Sequence, residues 1–79
     1  MSERRQEERL LFNQKAWVQL GTELVECTIV EISQCGARID IGKPLPHIFP
    51  LLFSRNGNVK RQCQLIWQDS SRAGLNFLS

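Results

Sequence analysis

The feature that most constrains this chain is a change of pattern near residue 13. There a run of charge gives way to six short apolar segments with turn signals between them. Lys15–Leu20 alternates Ala16, Val18 and Leu20 against Trp17 and Gln19, and Gly21-Thr22 ends it. Leu24–Ile32 is rich in β-branched residues. Its Val25, Cys27 and Ile29 share one parity while Val30 and Ile32 take the other, as in a strand that is bulged or covered on both faces. Ala37–Ile41 alternates cleanly; Ile48–Phe53 is short, apolar and weakened by Pro50, which belongs at an edge. Val59–Gln68 sets Cys63, Leu65 and Trp67 on one face, and Ala73–Leu78 does the same with Ala73, Leu75 and Phe77. A period of two over such short windows is the strand signal, whereas a helix needs 3.6.

The connections agree. Gly42–Pro46 carries two prolines and reads as a loop, Asn56-Gly57 is the signature of a tight hairpin, and Asp69–Arg72 turns the chain into its last strand. The expected fold is therefore all-β: a small six-stranded antiparallel β-barrel over residues 13–79, closed because closure removes exposed strand edges. Residues 1–12 form a charged N-terminal arm. Ser2–Arg9 has no apolar stripe, so a helix there would be marginal in water and the arm is expected to be flexible.

Bulk numbers narrow the function. With 79 residues there is one domain and a thin core. At 42% hydrophobic and 23% charged, the composition supports a folded protein rather than a disordered one. Ten Lys or Arg against eight Asp or Glu leave +2, too mild for the dense basic face of a duplex DNA binder. Cys27, Cys35 and Cys63 contain no CxxC pair, and His47 is the one histidine, so no zinc site is expected and the cysteines read as buried hydrophobes or partly exposed thiols. The arm has no apolar h-region and no segment is long enough to span a bilayer, so a cytoplasmic protein without membrane insertion is expected. No nucleophile stands with an evident base and no paired acidic motif is present, so the chain is not expected to be an enzyme.

Two motifs remain. The arm holds Arg5-Gln6-Glu7-Glu8-Arg9, an RxxxR; the second strand runs into Glu31-Ile32-Ser33-Gln34-Cys35-Gly36. In order and separation they resemble the RxxxR and [D/N]xSxxG signatures of the PilZ family. Leu45-Pro46, Leu65-Ile66-Trp67 and Gly74-Leu75-Asn76-Phe77 are similar to PilZ sequence too, so the likeness covers about residues 4–78. The resemblance implies a bacterial receptor for cyclic di-GMP, with no further cofactor. Carried over by motif, it implies ligand contacts at Arg5, Arg9, Glu31, Ser33 and Gly36, with Arg4 as a helper beside the first motif. Trp67, at a strand end, either fills the core or stands at the ligand.

Those residue types suit that ligand. Arginine's planar fork fits phosphate oxygens or the O6/N7 edge of guanine and stacks on purine faces. Guanine N1–H and N2 are donors, which a carboxylate and a hydroxyl can meet. Gly36 would let the backbone turn sharply and approach the base. Position 31 departs from the pattern: Glu is longer than Asp by one C–C bond, roughly 1.5 Å, and either misplaces the acceptor or folds back to bond. The expected function is a receptor or adaptor, a monomer or weak dimer, that couples cyclic di-GMP to an unidentified downstream protein as the arm becomes ordered. The rival is a degenerate PilZ domain that binds no ligand and serves as a protein-interaction module. A single-stranded DNA or RNA binder would need a basic groove lined with aromatic platforms, and most aromatics here fall on core parities, so no nucleic-acid polymer is expected as partner.

Overall fold

The computed structural model describes residues 10–78, which form six β-strands. They are β1 (Leu10–Leu20), β2 (Glu23–Ile32), β3 (Gly36–Asp40), β4 (Ile48–Leu52), β5 (Lys60–Gln68) and β6 (Arg72–Phe77). Every pairing is antiparallel and the sheet closes on itself in the order β1-β2-β3-β6-β5-β4. The described residues are thus the expected all-β barrel. β1 is longer than its alternation announced, beginning at Leu10 rather than Lys15, because its pairing with β2 resumes beyond a register shift between Leu11 and Gln14.

The core is the set of small and branched side chains that the period-two pattern pointed inward. Ala16, Val18, Ile29, Ile39, Leu51, Cys63 and Ala73 are buried almost completely, with Phe49 as the largest buried side chain. Burial pushes the Cys27 thiol up to about 12, helped by the nearby charge of Glu26, and pushes Cys63 up to about 11. Both behave as small hydrophobes, whereas Cys35 is exposed.

One turn expectation holds and another does not. Gly21 alone has positive φ in the two-residue β1–β2 connection, the requirement of a type II′ turn. Asn56-Gly57, by contrast, is no two-residue hairpin: it sits inside the longer link from Leu52 to Lys60. There Gly57 N donates to Ser54 O at 3.0 Å, Asn56 Oδ1 accepts from Asn58 N at 3.0 Å, and only Gly57 takes positive φ. The strand ends are joined there by Phe53 N donating to Val59 O at 2.7 Å, and this bond encloses a wider loop than the dipeptide alone would make. Pro50 is tolerated because β4 pairs with β1 only through Leu51 and Leu52, leaving Ile48–Pro50 an edge on that side.

Candidate functional site

The site rests on two β-bulges. On sequence parity, Glu31 belongs with Cys27 and Ile29, and Trp67 with Cys63 and Leu65, so both should point into the barrel. The β2–β3 register shifts between Ile29 and Glu31, and the β5–β6 register shifts between Leu65 and Trp67. An extra residue in one strand moves every later side chain to the other face. Glu31 thereby pairs with the outward Arg38, and Trp67 with Gly74. Since Arg38 also pairs with Gly74, the four residues form one row across β2, β3, β6 and β5 on the outer face. The expectation that Trp67 shares the buried face of Cys63 is corrected: it is 42% exposed, because the bulge at Ile66 turns it out of the core.

The row borders a groove of about 260 Å³ on the barrel's outside, with Ser33, Cys35 and Gly36 at one end and Ile66 and Trp67 along one wall. Its shape comes from missing side chains. A Cβ on Gly74 would overlap the Trp67 indole, so the ring lies over bare backbone. A Cβ on Gly36 would collide with the Leu75 carbonyl oxygen of β6. Gly36 does not have positive φ, so close approach of β3 to β6, rather than the sharp turn expected of it, is what requires glycine there.

Glu31, Arg38 and the Ser33 turn have defined partners in the groove. Arg38 Nη1 lies 2.8 Å from Glu31 Oε1, and the Glu31 side chain is only 9% exposed against 45% for Arg38. Ser33 N donates to Gly36 O at 2.9 Å and Ser33 Oγ accepts from Cys35 N at 3.2 Å. That leaves the Ser33 hydroxyl proton and one lone pair for an occupant. The turn is tied to the last strand by Phe77 N donating to Cys35 O at 2.7 Å. At the other end of β3, Asp40 accepts from Arg72 Nε at 2.6 Å, a bond that raises the Arg72 pKa. The nearby Asp69 carboxylate accepts from Ser71 N and Arg72 N, and these bonds lower its pKa.

Of the residues singled out in the sequence, Glu31, Ser33, Gly36 and Trp67 line this one groove. Arg4, Arg5 and Arg9 lie outside the described residues. The first described residue, Leu10, pairs with Ile32, so the chain enters β1 beside the Ser33–Gly36 turn. Arg38 and Gly74 were missed. The signal for Arg38 was its place two residues after Gly36 on the outward parity of a clean strand; for Gly74, nothing short of the β6 register would have found it.

Chemically the groove offers a carboxylate held by a guanidinium, a half-committed hydroxyl and one exposed indole face: donors, acceptors and a stacking surface. Among the described residues no three His, Cys, Asp or Glu side chains come together. Among the described residues no helix is long and apolar enough to cross a membrane. The family model described as the PilZ domain matches residues 3–79. No curated protein matches the chain.

Proposed function

The chain belongs to the PilZ domain family, a family of cyclic di-GMP receptors, and from that premise we propose that this protein binds cyclic di-GMP in the groove bordered by Glu31, Ser33, Gly36 and Trp67. The observation that supports the reading most is the row Glu31–Arg38–Gly74–Trp67, in which two bulges bring a carboxylate and an indole from core parity to one side of the barrel. Bulges next to binding sites commonly serve to re-aim side chains in this way.

The groove supplies half of a site. Ligand pockets usually measure about 300–1,000 Å³, and this open groove, at about 260 Å³, suits one base and its neighbouring phosphate rather than a whole cyclic dinucleotide. In this reading the arm supplies the remainder when ligand binds. Arg5 and Arg4 lie five and six residues before Leu10, within at most about 18 and 22 Å of contour, so Arg4, Arg5 and Arg9 have the reach to close on the ligand from the Ser33 end. Their guanidinium groups bind phosphate oxygens or a guanine Hoogsteen edge, while Ser33 and Glu31 meet the guanine donors and Trp67 takes a purine face. Docking of residues 4–9 creates a new surface for a downstream protein in the bacterial cytoplasm, a segment rearrangement that converts ligand level into recognition.

One observation favours a second reading, a PilZ domain that recognises proteins without ligand: the Glu31 carboxylate is already engaged by Arg38. Amide chemical shifts of the labelled full chain, followed during titration with cyclic di-GMP, separate the two. Receptor function predicts saturable shifts at Ser33, Cys35, Gly36, Arg38 and the Trp67 indole N–H. An unchanged spectrum at saturating ligand, or shifts confined to the opposite side of the barrel, contradicts it.

A further inference from the structure

We propose that Gly74 is a positioning residue for ligand binding: by carrying no side chain it seats the Trp67 indole flat on β6 and fixes it as the groove wall on which a guanine stacks. The inference rests on the receptor reading above and adds to it a residue that contributes no group of its own.

Gly74 is the third member of the outward row, between Arg38 on β3 and Trp67 on β5. On a sheet's outer face the position between two long side chains is normally filled by a third. Here the three atoms nearest to an added Cβ all belong to the indole, namely Nε1, Cε2 and Cδ1, and all lie closer than real Cβ contacts allow. The ring therefore occupies the space a side chain would take. Gly74 has no positive φ, so backbone conformation does not demand glycine; the indole does. Three consequences follow. The indole's inner face is desolvated against backbone, which is why Gly74 is buried although it points outward. Its rotamer is restricted before ligand arrives, which lowers the ordering cost of stacking. The Arg38 side of the row also stays open, so a ring lying on Trp67 remains beside Arg38, Glu31 and Asn76.

The test is a double-substitution cycle on the full chain, with cyclic di-GMP as probe and the folded state checked by circular dichroism. Trp67→Ala is expected to weaken binding by about 5- to 150-fold, the worth of one stacked base. Gly74→Ala is expected to weaken it within the same range, and to have no further effect in a Trp67→Ala background, where there is no ring to displace. A folded Gly74→Ala protein that binds as tightly as wild type overturns the proposal, as does an equal loss from Gly74→Ala with and without the indole. Should Gly74→Ala alone not fold, the Trp67→Ala/Gly74→Ala protein is expected to fold, since the clash is with the indole; if it does not, the seat is wrong.

Fluorescence keeps the seat separable from the receptor reading. In a Trp17→Phe background, Gly74→Ala should shift Trp67 emission to longer wavelength and raise its quenching by acrylamide, with or without ligand. Unchanged emission refutes the seat. Wild-type protein that shows no cyclic di-GMP binding refutes the receptor reading and the ligand part of this inference, while leaving the indole's dependence on Gly74 to be read by emission alone.

Discussion

Glu31 and Arg38 face each other across the β2–β3 ladder, joined by a 2.8 Å ion pair in which the carboxylate is nearly buried and the guanidinium half exposed. The pair answers what the extra methylene of Glu31 does: it reaches along the outer face to a cation on the neighbouring strand. Arg38 thus holds the acceptor in the groove and keeps its own remaining donors beside it.

Removing the cation should be felt in stability. Arg38→Met takes a strong partner from a buried carboxylate, an expected loss of about 1–3 kcal/mol by urea denaturation. Pairing it with Glu31→Gln, which removes the charge, should recover part of that loss. Additive losses in the double variant would show that the two side chains are not energetically coupled.

Gly36→Ala should destabilise the barrel whether or not ligand binds, because the methyl meets the Leu75 carbonyl and not a movable side chain. Overpacking of this kind costs about 1–3 kcal/mol, and each kcal/mol lowers the Tm of so small a domain by about 4–8 °C. An unchanged Tm would mean that β3 and β6 can separate at no cost.

The cysteines give a chemical readout of burial. At neutral pH only Cys35 should react with a thiol reagent in the native protein, with Cys27 and Cys63 following on unfolding. Their folded pKa values, about 12 and about 11, lie above the ordinary 9.0. Above pH 9 the unfolded chain releases protons that the folded chain retains. Their contribution to stability is therefore complete below pH 9 and is lost as pH rises toward 11–12. Equilibrium denaturation at pH 8 and pH 10.5 measures this; Cys27→Ala/Cys63→Ala protein should show a shallower alkaline loss.

How much of this the sequence disclosed depends on register. Where a strand is regular, local alternation is enough: Ala16 and Val18, Ala37 and Ile39, Ala73 and Leu75 are all buried as their parity says. Where a strand is bulged, parity misleads, because a bulge is a property of two paired strands and not of one. Trp67 was assigned the face of Cys63 for that reason, and the mixed parity of Val30 and Ile32 was the one local hint of the bulge before Glu31. Closure itself followed from the cost of exposed edges, but which strands meet lies beyond a local reading, since β3 meets β6 and β1 meets β4 across long stretches of chain. The motif residues Glu31, Ser33 and Gly36 could be named from the resemblance of their stretch to the PilZ signature. Arg38 had a local signal in its outward parity two residues after Gly36, but Gly74 had none, because it reaches the row from β6, which shares no sequence window with the motif.

The central claim, cyclic di-GMP bound between groove and arm, is tested most directly by isothermal titration of the purified full chain, with GMP as control. The account predicts saturable heat with cyclic di-GMP, none with GMP, and loss of binding in folded Arg5→Ala and Arg9→Ala proteins. No heat from protein shown to be folded, or binding that survives both arginine substitutions unchanged, would contradict it.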